Sequence, residues 1–159
     1  MKKLIFILFV VISLSLNAQN KMPEVYSVAT KFERIELVRM RPGTDMLEGL
    51  NKFIHREGVK NAVILSGIGS VTDYHYHVVS DKNLPPAEEY PKASVAMDLT
   101  SLQGYILDGR VHAHMTLADE NSVIGGHVEP GTKALTFFIL TIGILPDSLE
   151  ISNLDDYTL

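Results

Sequence analysis

The chain of 159 residues contains no cysteine. This absence excludes a disulfide framework, a lipid attached to a cysteine after signal cleavage, and thiolate ligands for a metal ion. Any metal ion that this protein binds must therefore be held by histidine, aspartate or glutamate side chains.

The sequence also lacks an apolar run long enough to cross a bilayer. The run from Leu4 to Leu16 follows two lysines and precedes Asn17-Ala18-Gln19. Its length of about 13 residues is short of the roughly 20 that a transmembrane helix needs. This pattern predicts a signal peptide over residues 1–18, cleaved after Ala18, and an exported protein that is periplasmic or secreted, with no membrane attachment after cleavage. An anchored transmembrane helix is the alternative.

Positive charge is scarce. The full chain carries 14 Lys and Arg against 19 Asp and Glu, a formal net charge of −5. Loss of residues 1–18 would remove Lys2 and Lys3 and lower this charge to −7. Neutralisation of phosphates supplies most non-specific affinity for nucleic acid, so this balance does not favour a DNA-binding protein. The densest basic positions alternate with acidic and apolar residues, which is typical of a solvated strand face: Lys31, Arg34, Arg39 and Arg41.

The remaining composition, 46% hydrophobic and 21% charged, is typical of one globular domain with its own core. We predict an N-terminal lead-in over residues 19–31 and a single domain over residues 32–154. The domain opens with a strand at 32–40, a helix capped by Thr44 or Asp45 and ended by Gly58, and a buried strand at 61–65.

Beyond residue 70 the pattern is mostly β. The predicted strands cover residues 72–79, 94–99, 103–107, 110–117, 122–128, 134–142 and 149–154. The pair Asp108-Gly109 is the clearest hairpin turn. One long amphipathic helix beside many short strands predicts an α+β fold with a largely antiparallel β-sheet. The strand from Ala134 to Ile142 is apolar on both faces, which indicates a central strand or one covered by a neighbouring subunit.

Three histidines carry the strongest chemical signal: His112, His114 and His127. Residues i and i+2 of a strand share a face, so His112 and His114 present both imidazoles on one side. Gly125 and Gly126 remove side-chain bulk beside His127 and permit a close approach. We predict that the three histidines hold a divalent metal ion, zinc, with one position open. The alternative is a set of half-exposed strand histidines without a metal.

A second pair, His75 and His77, has the same spacing. No third ligand follows nearby in the sequence, so we predict two solvated strand histidines here. The glycine turn Ser66-Gly-Ile-Gly-Ser70 lacks the Lys-Ser/Thr ending of a phosphate loop and is typical of a strand that leaves the core tightly.

Five sequence blocks, in order, resemble the PPC domain family (plants and prokaryotes conserved, DUF296). They are Arg41-Pro-Gly-Thr-Asp-Met46, Leu65-Ser-Gly-Ile-Gly-Ser70, Leu102-Gln-Gly104, His112-Ala-His-Met-Thr-Leu-Ala-Asp119 and Gly125-Gly-His-Val128. The resemblance implies a domain that assembles as a homotrimer, with the histidine cluster near the subunit boundary and able to hold a metal in some members. The family is usually called DNA-binding, but this chain has no Arg-Gly-Arg-Pro core of an AT-hook.

Two hypotheses follow. The first is an exported, trimeric metal-binding protein whose open metal position takes water or a small anionic ligand, with Arg41 as the residue that orients the ligand. If it is an enzyme, metal-assisted hydrolysis is the simplest reaction class, and the candidate general bases are Asp45, Asp119 and Glu129. The second hypothesis is a non-catalytic interaction module that binds DNA. The residues alone leave both an enzyme and a non-catalytic protein open.

Overall fold

A computed structural model describes residues 23–158 of the chain. The predicted signal peptide, residues 1–18, lies outside the described residues. One compact unit comprises Val28–Asp156, and the described residues 23–27 and 157–158 belong to a second unit. Within residues 23–158, no helix combines the length and apolar character that a membrane crossing requires.

The compact unit contains one α-helix and seven β-strands within the described residues. In chain order these are β1 (Arg34–Met40), α1 (Met46–Glu57), β2 (Asn61–Val79), β3 (Glu88–Glu89), β4 (Lys92–Leu107), β5 (Arg110–Ala118), β6 (Val123–Val128) and β7 (Lys133–Leu145). The strands form one antiparallel sheet in the order β1-β7-β2-β4-β5-β6, with β3 paired to β2. Strand β6 also pairs with the end of β2, so part of the sheet closes on itself. The predicted α+β class is confirmed.

Helix α1 begins and ends where the sequence predicts. The Asp45 side chain accepts a hydrogen bond from the backbone N–H of Glu48, and this bond satisfies one of the free N–H groups at the helix start. Gly58 ends the helix in the left-handed conformation, with φ of 63°, and its N–H donates to the carbonyl of Ile54. The helix buries one apolar face against the sheet: Met46, Leu50, Phe53 and Ile54.

Strand β7 shows how the sheet divides its two faces. Phe138, Leu140 and Ile142 are buried in the core, whereas Leu135 and Ile139 on the opposite face are exposed within the chain. The strand is thus apolar on both sides, and it lies between β1 and β2 in the sheet. Within residues 23–158, its outer face is only partly covered.

Two predicted strand breaks are absent. Residues 61–65 and 72–79 belong to the single strand β2, and residues 94–99 and 103–107 belong to β4. The glycines of β2 do not end the strand; they admit close neighbours. A Cβ on Gly67 would lie 2.6 Å from the Cβ of Leu102, and one on Gly69 would lie 2.0 Å from the carbonyl oxygen of Phe137. Register shifts along β2 bend the strand without ending it.

The predicted last strand, residues 149–154, is also wrong. This part of the chain forms turns rather than a strand. Ile151 is buried against Leu107 and Leu145 in a small apolar cluster of its own. The apolar residues that suggested a strand serve to attach the end of the chain to the sheet.

Candidate metal centre

Strand register brings four histidines together on one face of the sheet. His114 on β5 lies directly opposite His127 on β6, and His127 lies directly opposite His77 on β2. Directly opposed residues share a face, and His112 shares that face because it is two residues from His114. The closure of the sheet between β6 and β2 therefore builds the cluster. We call His77, His112, His114 and His127 the histidine cluster.

The three histidines predicted as ligands are close enough to hold one ion. The ring centroid of His127 lies 4.8 Å from that of His112 and 5.2 Å from that of His114. One candidate ligand nitrogen from each ring lies within 4.8 Å of the other two. A tetrahedral zinc ion with bonds of about 2 Å needs ligand atoms roughly 3 to 3.5 Å apart, somewhat closer than the 4.8 Å within which these nitrogens lie.

The glycines beside His127 fulfil the role that the sequence predicts. A Cβ on Gly125 would lie 2.1 Å from the carbonyl oxygen of Met115, and one on Gly126 would lie 2.4 Å from the carbonyl oxygen of His77. Any larger residue at either position would push β6 away from β5 or β2. The two glycines thus permit the close packing of strands that brings the imidazoles together.

The surroundings favour the neutral form of two of these imidazoles. Burial, with the nearby His77, His112 and His114 as secondary causes, lowers the pKa of His127 to about 4. Burial is also the main cause that lowers the pKa of His114, followed by His112 and His77. A metal ion binds histidine only through an unprotonated nitrogen, so both side chains are in the form required for binding at neutral pH.

His77 and Glu129 belong to the same cluster, although the sequence predicts a solvated His77. The Nδ1 atom of His77 lies 2.7 Å from Oε1 of Glu129, and its side chain is only 20% exposed. His77, His127 and Glu129 form a second group whose ligand atoms lie within 4.8 Å of one another. The sequence signal was present in the i, i+2 spacing of His127 and Glu129. The missing information was that β2 extends far enough to pair with β6.

His75 lies outside the cluster. Its ring nitrogen Nδ1 lies 2.9 Å from the backbone carbonyl oxygen of Pro130, and the residue is half-buried. Residues two apart on a strand point to one face, so His75 and His77 share a face, but only His77 is paired with His127 across β2 and β6. Both histidines of this pair are half-buried, so neither is as solvated as the sequence pattern indicates.

Asp155 reaches the cluster from the end of the chain. Its Oδ2 atom lies 2.6 Å from Nδ1 of His112, and Arg110 donates two hydrogen bonds of 2.8 Å to the same carboxylate. The hydrogen bond from Arg110 is the largest cause that holds the pKa of Asp155 well below its usual range, and the bond from His112 adds to it. No local pattern in the sequence identifies this residue, because the contact joins positions 43 residues apart.

A cavity of about 620 Å³ lies beside His112 and His114. It is bounded by Asp155 and Gln103 on the polar side and by apolar side chains elsewhere: Val63, Leu65, Tyr105, Leu107 and Leu154. Its volume lies within the range of roughly 300–1,000 Å³ that is typical of small-molecule sites.

The other predicted site residues lie elsewhere. Arg41 lines a groove between β1 and α1 and is not among the residues that line the cavity beside the histidines. Asp45 caps α1 and accepts a second hydrogen bond from the N–H of Gly131. Asp119 accepts hydrogen bonds from Asn121 and Ser122 in the turn after β5. Of the three predicted general bases, only Glu129 contacts the histidine cluster.

This protein is a small antiparallel sheet with one helix packed on it, and the strands carry a cluster of histidines. The family model of the Plants and Prokaryotes Conserved (PCC) domain matches residues 28–146. The chain therefore belongs to the PCC domain family, as its sequence blocks indicate.

Solved structures with the same fold include three from distant organisms. A plant- and prokaryote-conserved protein from Pyrococcus horikoshii is 23% identical with a TM-score of 0.63, and the match covers 77% of this chain and 85% of that one. A protein from Archaeoglobus fulgidus described as metal-containing is 19% identical with a TM-score of 0.66, and the match covers 76% of this chain and 86% of that one. A protein from Bacteroides thetaiotaomicron described as a candidate DNA-binding protein is 18% identical with a TM-score of 0.63 (76% and 83% covered).

A curated relative, the bifunctional protein GlmU of Synechococcus sp. (strain JA-3-3Ab), is 27% identical over 118 residues, which are 74% of this chain and 18% of that protein. The chain thus spans about a fifth of the length of the curated relatives that it matches.

Proposed function

We propose that this protein is an exported, homotrimeric metal-binding protein in which His112, His114 and His127 hold a divalent ion. The observation that carries the proposal is the approach of one ligand nitrogen from each ring to within 4.8 Å of the other two. The description of the Archaeoglobus fulgidus protein as metal-containing supports it from outside this chain. Three imidazoles without a thiolate suit zinc, which keeps an open position in sites with three protein ligands.

The surroundings of the centre favour binding of a small anionic ligand. A divalent ion held by three neutral imidazoles would supply a positive charge and a Lewis acid at its open position. The cavity beside His112 and His114 offers apolar walls, among them Tyr105 and Leu154. Of the three carboxylates predicted as general bases, Glu129 is the one bonded to the cluster, through His77, so it is the candidate general base if the protein catalyses hydrolysis.

The outer face of the sheet supports assembly into a homotrimer. Leu37 is 75% exposed and Ile68 is 54% exposed, and Ile139 lies directly opposite Ile68 on the neighbouring strand. Apolar side chains that are contiguous on a sheet face are more often covered by a partner than left in water. Export is supported by the N-terminal sequence alone.

Nucleic-acid binding is the second candidate, and one observation favours it. The groove between β1 and α1 is lined by four basic side chains: Arg39, Arg41, Lys52 and Arg56. The sequence had not indicated this grouping, because Arg39 and Arg41 lie on β1 and in the turn after it, whereas Lys52 and Arg56 lie on α1. The net charge of −5 opposes phosphate binding elsewhere on the surface, and Lys52 is already 3.6 Å from Glu48.

Metal analysis of the purified protein tests the first candidate. We expect about one zinc ion per chain in the parent protein. The triple variant His112→Ala, His114→Ala, His127→Ala should lose it, whereas the control His55→Ala, His75→Ala should keep it. A parent protein that contains no metal and binds none on addition of Zn²⁺ would overturn the proposal.

A titration with a duplex oligonucleotide at two salt concentrations tests the second candidate. If the groove binds phosphates, the affinity should fall steeply as salt rises, and Arg41→Ala should reduce both the affinity and the salt dependence. Lys92→Ala, an exposed basic residue outside the groove, is the control. An affinity that is unchanged by Arg41→Ala would exclude this groove as the binding surface.

A further inference from the structure

The end of the chain is attached to the sheet beside the histidine cluster. We call residues 147–156 the C-terminal segment; it follows directly after the part of the chain that matches the family. The side-chain amide of Asn61 donates to the carbonyl oxygens of Pro146 and Leu149, at 3.3 Å and 2.8 Å. Ile151 is buried against Leu107 and Leu145. These contacts set the path of the segment, so the position of Asp155 is determined by the sheet.

The carboxylate of Asp155 is held in one orientation. Arg110 donates from Nη1 to Oδ2 and from Nη2 to Oδ1, both at 2.8 Å, and Nη2 also donates to the carbonyl oxygen of Ser152. A planar guanidinium that binds both oxygens fixes the plane of a carboxylate as well as its place. The side chain of Asp155 is only 20% exposed, so water competes little for these bonds.

The contact between Asp155 and His112 determines which ring nitrogen carries hydrogen. An ionised carboxylate only accepts hydrogen bonds, so Nδ1 of His112, 2.6 Å away, must be the donor. In the neutral ring Nε2 is then left with its lone pair. This is the nitrogen that remains available to a metal ion, because Nδ1 is occupied by Asp155.

We infer that Asp155 is a positioning residue for the metal centre: it acts through His112 and holds that ring in the tautomer and orientation that present Nε2 to the ion. Carboxylates that bind the second nitrogen of a ligating histidine fix the ring and make it a better ligand. The inference rests on the proposed function for its effect on metal binding. Asp155 lies in the C-terminal segment, outside residues 28–146, so this partner of His112 is a feature of the chain beyond the family match.

The tautomer can be measured without any metal. We would record ¹⁵N shifts of the ring nitrogens in labelled, chelator-treated protein, with His112 assigned by its loss in His112→Gln. In the parent, Nδ1 of His112 should be protonated and Nε2 should not. Asp155→Ala should shift His112 toward a mixture of tautomers, whereas Asp147→Ala, an exposed aspartate of the same segment, should leave it unchanged.

The affinity for zinc, measured by competition with a chromophoric chelator, gives the second readout. Asp155→Ala should weaken binding by roughly 10- to 100-fold, the usual effect of removing such a partner. Asp155→Asn keeps an oxygen that accepts from Nδ1 but lacks the charge, so it should recover part of the affinity. Asp147→Ala should bind as the parent does. The visible spectrum of the Co²⁺ form should change in Asp155→Ala if the ring of His112 turns.

The outcomes separate this inference from the proposed function. If the parent binds no metal, the proposed function fails, yet the tautomer of His112 still decides whether Asp155 fixes the ring. If the parent binds zinc but Asp155→Ala changes neither the tautomer nor the affinity, the inference is overturned and the metal centre stands. A fall in affinity with an unchanged tautomer and an unchanged Co²⁺ spectrum would also overturn it, because Asp155 would then act only on stability.

Discussion

His77 and His127 lie directly opposite each other across β2 and β6, and their rings stack with centroids 4.5 Å apart and planes inclined by 23°. His127 thereby belongs to two groups of candidate ligands, one with His112 and His114 and one with His77 and Glu129. The hydrogen bond between His77 and Glu129 gives these two side chains a role without metal, as a support for the ring of His127.

The variant His77→Phe tests which group binds the ion. Phenylalanine keeps a flat ring against His127 but cannot bind metal or Glu129, so we expect one zinc ion per chain to remain, with the affinity reduced by roughly tenfold or less. His75→Phe is the matched control and should have no effect. Loss of the ion in His77→Phe, with retention in the double variant His112→Ala, His114→Ala, would assign the metal to the second group instead.

The stability of the metal-free protein should depend on pH through His127. The ordinary pKa of histidine is 6.5, whereas the folded protein lowers that of His127 to about 4. Between these values the unfolded chain binds more protons than the folded one, so the free energy of unfolding should fall as the pH is lowered from about 6.5 to about 4. Above that window His127 adds no pH dependence, because it is neutral in both states.

Urea unfolding at several pH values, with a chelator present, measures this effect. The variant His127→Gln removes the titrating group, so its unfolding midpoint should fall less between about pH 6.5 and about pH 4 than that of the parent. His55→Gln, at an exposed position on α1, serves as the control. An equal slope in the parent and in His127→Gln would contradict the prediction.

The cap of α1 should contribute measurably to stability. The Asp45 carboxylate accepts hydrogen bonds from the N–H groups of Glu48 and Gly131, which ties the helix start to the turn before β7. Asp45→Ala should lower the free energy of unfolding by about 1–2 kcal/mol. Asp45→Asn keeps one oxygen that can accept from the N–H of Glu48, but it places an amide NH2 group where the other oxygen accepts from Gly131, so only part of the loss should be recovered. Equal losses in both variants would mean that the bond to Gly131 or the charge, rather than the cap, is what matters.

The exposed apolar face gives a test of the trimer. Leu37 lies on β1 with its side chain 75% exposed, opposite Thr141 on β7. If this face is covered by a neighbouring subunit, Leu37→Lys should reduce the mass measured by analytical ultracentrifugation from that of a trimer toward that of a monomer. Leu84→Lys, an equally exposed leucine in the loop after β2, should leave the mass unchanged. A monomeric parent protein would remove the trimer from the proposal.

Much of the fold was predictable because its signals are local. Helix α1 starts at Asp45, whose side chain caps it, and ends at Gly58, which has no side chain and adopts the left-handed conformation. Both effects act within a few residues of the sequence. The turn at Asp108-Gly109 follows from two residues that tolerate positive φ, observed at 51° and 78°. The continuity of β2 was not predictable in the same way. A glycine can end a strand, or it can let a neighbouring strand approach closely, and the local sequence does not distinguish these two effects.

The sequence by itself determined the identity of the predicted ligands. The i, i+2 spacing of His112 and His114 places them on one face of any strand, and the absence of cysteine leaves histidine as the main nitrogen or sulfur donor. The glycines before His127 indicated a close approach, which the register of β5 and β6 provides.

Only the tertiary structure decided what surrounds those ligands. His77 joins the cluster because β2 bends back to pair with β6, and Asp155 joins it because Asn61 and Ile151 fix the path of the C-terminal segment. Arg41 lies in a different groove because it follows β1, and β1 is at the opposite end of the strand order from β5 and β6. Such contacts depend on the sum of many weak packing interactions between distant residues, and a local sequence pattern does not record that sum.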